Sequence, residues 1–258
     1  MATESTSAGK VPSPPVPLPR PMVLWASELA ATALMLLAVT VLFRHLFHPD
    51  AWLYAQLASA DARLLVDAAV SGAVVAVLVA SPFGRVSGAH MNPAVTVALW
   101  VVRHVPTRHV PLYVSAQLLG SVIGAFVGRH MAGAAVAHPV VDYALLRPAG
   151  QVSGVPVAVG EAVATGVLLA VVIRLVRRPA LAEVTPVTIG ALLTVLIAVT
   201  AGPTGGSLSP ARQLGPWMMA GADGSLWPYV VGPLGAALAV GAVAAALPEP
   251  TDGDRSRW

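Results

Sequence analysis

With 258 residues, 56% of them hydrophobic and only 10% charged, the chain has too few polar side chains to cover a soluble domain, where about 25% of residues are charged. Its formal net charge of +3 comes from basic residues scattered at the ends of apolar runs, which speaks for membrane-flanking arginines and against a nucleic-acid interface. Cysteine is absent, which excludes disulfides, thiolate metal sites and cysteine nucleophiles.

Residues 1–21 carry Pro12, Pro14, Pro15, Pro17, Pro19 and Pro21 and no apolar stretch. They read as a disordered cytoplasmic tail and not as a signal peptide: either a plain linker or a proline-rich ligand for a partner domain. A second polar tail is expected at 248–258. Between them lie six apolar runs, at 22–43, 64–81, 110–127, 154–173, 184–201 and 226–247. Most reach the length of about 18 residues that a spanning helix needs; the fifth is either short or starts at Pro186, which leaves its boundary open.

Two polar interruptions break this series. One contains Asn92-Pro93-Ala94, the other Ser209-Pro210-Ala211-Arg212. In each, a side chain able to accept a backbone N–H precedes a proline, and proline is tolerated at a first helical position because its missing donor would be unpaired there anyway. Helices from Pro93 to about Val102 and from Pro210 to about Ala220 would rise only about 15 Å, half of a hydrocarbon core of about 30 Å. Half-length helices in corresponding places in two halves of a membrane chain point to a transport site at the midplane.

The halves also match residue by residue. Glu28 and Thr32 parallel Glu161 and Thr165, and Tyr113 with Gln117 parallels Tyr229 with Pro233. Repeat one spans about 22–131 and repeat two about 154–247, each with an odd number of crossings, so the second is inverted. Ten Lys and Arg fall on one side (Lys10, Arg20, Arg85, Arg103, Arg108, Arg174, Arg177, Arg178, Arg255, Arg257) and four on the other (Arg44, Arg63, Arg129, Arg147). That asymmetry puts both termini in the cytoplasm.

Two helix N-termini meeting at the membrane centre would present unpaired N–H groups and partial positive charge to one point, repelling cations. Asn92 and Ser209 could donate to a passing oxygen while accepting from the backbone. Arg212 has Val95 as its counterpart, so one fixed intramembrane charge breaks the symmetry. Glu28 and Glu161 could line a proton path, or could accept bonds from re-entrant loop N–H groups, the reading that their recurrence favours. Gln117 reads as a further loop brace and His90 as a packing histidine or a pH gate. Asp67 reads as a span-end residue reaching the interface.

The paired motifs inside a three-plus-three repeat resemble the aquaporin, or major intrinsic protein, family over residues 22–247. The resemblance implies an all-α membrane fold of six tilted helices and two re-entrant half-helices around one pore per subunit. It also implies homotetramers in the plasma membrane, and passage of water or small neutral solutes such as glycerol, urea or metalloid acids. No cofactor, metal or nucleic acid is implied. The selectivity filter, carried over by position, would comprise Gly72, Ile197, Gly206 and Arg212. Ser209 stands where the family usually has a second Asn, and Gln213 where glycerol-conducting members usually have Asp. The filter positions hold no aromatic or His, so a wide bore is expected. A secondary transporter, which also uses inverted repeats and broken helices, is the alternative. A serine hydrolase built on Ser207 would need a base, and no His follows His138.

Overall fold

The computed structural model describes residues 20–150, 152, 154–222 and 224–248; the two expected tails lie almost wholly outside these. Ten α-helices are found among the described residues: α1 Pro21–Phe47, α2 Trp52–Gln56, α3 Ala60–Ala80, α4 Pro82–Ser87, α5 Pro93–Val101, α6 Val110–Ala132, α7 Val155–Val176, α8 Thr185–Thr200, α9 Pro210–Met219 and α10 Pro228–Ala246. Five of them are long and apolar enough to cross a membrane. The sixth expected span, α8, has 16 residues and so rises about 24 Å, with the turn at 201–204 continuing from its end. The two half-helices end one residue short of expectation, at Val101 and Met219.

Local chemistry explains the boundaries. Ser59 caps α3, its Oγ accepting from the Ala62 N–H at 3.0 Å, and Asp61 in the first turn complements the positive end of the helix. Pro82 ends α3 and begins the short α4, which was not legible as a separate element in the sequence. Many large apolar side chains are exposed, among them Val77, Val163, Val195 and Val199. On helices of this length such exposure marks lipid-facing surface.

The helices pair as the repeat requires: α1 packs on α6, α7 on α10, and α3 on α8 across the repeat boundary. Glycine sets the close approaches. Gly120, Gly124 and Gly128, four apart on α6, face α1, where a Cβ on Gly124 would stand 2.8 Å from the Ala33 Cα. In the second repeat Gly232 of α10 meets the Ala158 backbone of α7. Without hydrophobic drive between helices in lipid, such small-residue contacts supply the van der Waals packing that holds them together.

Candidate pore site

The half-helices begin in nearly the same conformation. Asn92 (φ −151°, ψ 117°) and Ser209 (φ −155°, ψ 127°) are extended residues at the caps of α5 and α9. The Asn92 Oδ1 accepts from the Ala94 N–H at 2.9 Å, and the Ser209 Oγ from the Arg212 N–H at 3.3 Å. Pro93 and Pro210 occupy the first helical positions, and Ala94 and Ala211 are fully buried behind them. The two caps are joined directly: Asn92 Nδ2 donates to the Leu208 carbonyl at 2.8 Å. One of the two amide protons expected to face a permeant is therefore committed to the protein.

Reaching these caps forces the chain through unusual backbone. Ala89 (φ 43°), Met91 (φ 51°) and Leu208 (φ 54°) are left-handed non-glycine residues, a conformation that persists only where surrounding bonds over-determine it. Two fully buried glutamates do so. Glu28 Oε1 accepts from the Ser87 hydroxyl and the His90 N–H, both at 2.8 Å, and its Oε2 from the Met91 N–H at 3.0 Å. Glu161 Oε1 accepts from the Thr204 hydroxyl at 2.7 Å and the Ser207 N–H at 3.1 Å, its Oε2 from the Leu208 N–H at 2.6 Å. Tyr113 and Tyr229 complete the parallel, donating to the Ser87 and Thr204 carbonyls at 2.8 and 2.7 Å.

The braces differ at one place. Gln117 Nε2 donates to Glu28 Oε2 at 2.8 Å and to Thr96 Oγ1 at 2.9 Å, whereas Pro233, its counterpart, has no side-chain donor. His90 lies within the first brace, its Nδ1 3.1 Å from Thr96 Oγ1 and its ring tilted over Tyr113 with centroids 4.8 Å apart.

A cavity of about 990 Å³ runs past both caps. Its wall is largely apolar, with residues four apart marking one stripe of each helix: Val75 and Val79 on α3, Ile189, Leu193 and Ile197 on α8. Asn92, Ser209 and His90 reach it in the middle, and Arg85, His104, Arg178 and Glu183 also line it. Partial desolvation holds the His104 imidazole, in the loop after α5, below its ordinary pKa.

Of the four filter positions, Ile197, Gly206 and Arg212 line the cavity. Gly72 does not. It lies where α3 crosses α8, and a Cβ there would overlap the Gly190 carbonyl oxygen and the Thr194 hydroxyl. Its neighbour Ser71 faces the cavity instead. An offset from Asn92 along the chain does not fix the rotation of α3 about its axis, which depends on how closely α8 approaches. Two glycines, 72 and 190, let that approach happen.

Asp67 also departs from expectation. Far from reaching the interface, it is 5% exposed and lines the cavity one turn of α3 from Ser71. Arg212 is 9% exposed, and its Nη1 donates to the Ala144 carbonyl at 3.0 Å. That carbonyl is presented by a left-handed run, Asp142, Tyr143 and Ala144 (φ 42°, 55° and 63°), in the segment between α6 and α7. The same segment is tied to α9 by Gln213 Nε2, which donates to the Leu146 carbonyl at 2.8 Å. An aromatic does stand beside the arginine: the Phe43 ring on α1 lies 5.6 Å from its Cζ. Neither Phe43 nor Ala144 carried a sequence signal, since both are placed by packing between distant segments.

Comparisons with known proteins agree with this architecture. A family model described as major intrinsic protein matches residues 23–247. The chain is 34% identical over 193 residues to aquaporin NIP3-1 of Oryza sativa, covering 74% of this chain and 60% of that protein. It is 41% identical over 160 residues to aquaporin NIP1-1 of the same plant, covering 60% and 53%. The matches thus span less than two thirds of these relatives' own length. In structure it is similar to the aquaglyceroporin from Plasmodium falciparum, with a TM-score of 0.75 at 19% identity over 88% of this chain and 97% of that one, a likeness of fold. The matched segment contains every span, both half-helices and both glutamate braces, and the chain belongs to the major intrinsic protein family.

Proposed function

We propose that this chain is a passive channel for water and small neutral solutes that excludes ions and protons, and is not an enzyme. The observation that carries the reading is the convergence of two helix N-termini on one cavity, held together by the Asn92 to Leu208 hydrogen bond. Helix N-termini carry partial positive charge and repel cations. The two repeat glutamates are committed to loop donors. The arginine asymmetry supports cytoplasmic termini in a plasma membrane, and family membership supports a homotetramer.

The filter follows the same proposal. Ile197, Gly206 and Arg212 form its wall with Ser71 in place of Gly72, and Asn92 and Ser209 offer donors at the centre. Purified protein in proteoliposomes is expected to speed water, glycerol, urea or boric acid entry by stopped-flow light scattering. It should carry no cation current in planar bilayers, and a robust potassium conductance would refute the reading.

Inhibition gives a second expected outcome. Because the chain has no cysteine, mercuric chloride has no pore thiolate to attack. Water permeability of the loaded vesicles should be unchanged by mercury, and block reversed by added thiol would contradict this.

A further inference from the structure

We propose that Asp67 is a specificity-determining residue of the pore, an acceptor that faces the donor Arg212 across the cavity and selects neutral solutes carrying N–H donors beside a carbonyl. The proposal rests on the channel reading above. Both side chains are buried and line the same cavity. Asp67 Oδ1 is buried and has no hydrogen-bond partner in the protein.

A carboxylate oxygen withdrawn from water is costly unless something donates to it. The nearest sequence candidate is Arg63, one turn earlier on α3, at a spacing that commonly pairs. It is turned away: its Nη1 donates to the Leu57 carbonyl at 2.7 Å and its Cζ sits 4.1 Å from the Tyr54 ring centroid. Among the described residues no ion pair joins Arg63 or Arg212 to Asp67. Oδ1 itself is closed off from the lumen as well as unpaired; the small part of the carboxyl that the cavity does reach is where a permeant can donate.

The chemistry of the pair defines the class. A guanidinium only donates and an ionised carboxylate only accepts. A solute with one acceptor oxygen flanked by several donors satisfies both at once, and urea and simple amides have that form. Water has two protons but only one oxygen to serve both partners, and each glycerol hydroxyl has a single proton to give. The carboxylate also offsets the arginine charge, so the constriction is not simply a positive ring.

The test compares wild type, Asp67→Asn and Asp67→Ala in phosphatidylcholine vesicles, measuring urea, glycerol and water permeability on the same preparation. Asn is isosteric and keeps one acceptor oxygen, so the urea-to-water ratio should fall in the order Asp, Asn, Ala. The full drop should be about tenfold, the size of one lost hydrogen bond to a charged group, and glycerol should fall less. A purely structural role would lower all three permeabilities in proportion and leave the ratio unchanged; that result, or a ratio that rises because the bore has widened, overturns the proposal. A wild type that passes water but no urea overturns it as well and leaves the channel reading standing. A wild type that passes neither removes the channel reading first.

Discussion

Glu161→Ala is expected to abolish the pore and to lower the thermal stability of the purified protein sharply. The Ser207 and Leu208 N–H groups would lose their only acceptor inside a membrane protein, while the Thr204 hydroxyl would keep the Thr200 carbonyl at 3.2 Å. Each orphaned buried donor costs roughly 1–3 kcal/mol, which puts the loss on the order of 2–6 kcal/mol before any cavity cost. Leu208 would then keep only its carbonyl bonds to Asn92 and Thr165 to hold its left-handed backbone. Unfolding followed by the fluorescence of the six tryptophans, with water permeability on the same sample, checks this. Glu161→Gln should recover only part of the loss, because one of its two terminal atoms would be a donor facing donors. An alanine variant of wild-type stability and permeability would show that the second re-entrant loop holds itself.

Gly72→Trp is expected to lower water and solute permeability together and to reduce the yield of folded protein. An indole added to an open filter would narrow it and spare water. Here, however, even a Cβ at position 72 overlaps the Gly190 carbonyl oxygen and the Thr194 hydroxyl, so the side chain would have to push α8 off α3. Forcing bulk into a close-packed contact commonly costs about 1–3 kcal/mol and here acts on backbone, which cannot change rotamer. Ser71→Trp places the same bulk in the cavity and should cut glycerol far more than water. Equal effects of the two substitutions on the glycerol-to-water ratio would return Gly72 to the filter wall.

The legible and illegible parts of the chain divide along physical lines. Asn92-Pro93 and Ser209-Pro210 announced helix starts because capping and the missing proline N–H act within a few residues. The 3+3 repeat was readable from the six apolar runs, the placing of the two half-helices and matches such as Glu28 with Glu161, and fold and family follow from it. What depended on helix rotation was not readable. A residue's distance from Asn92 along the chain says how deep it lies, but not which side of α3 it occupies. That is why Gly72 went to the pore and Asp67 to the interface, when the structure has the faces otherwise. Phe43 and Ala144 lie further still from any local rule, since each reaches Arg212 only through tertiary packing.

The bond from Asn92 Nδ2 to the Leu208 carbonyl spans 116 positions of chain, and this sets the order in which the molecule can be made. At about 5–20 residues per second of synthesis, roughly 6–23 s separate the emergence of the two partners. Throughout that interval the first half-helix has its cap amide facing a carbonyl that does not yet exist, and water or the insertion machinery must stand in for it. The centre of the pore thus cannot close until most of the second repeat has been made. A chain ending before Leu208 would hold only half of the lumen wall, so the bond can close only once both repeats are present.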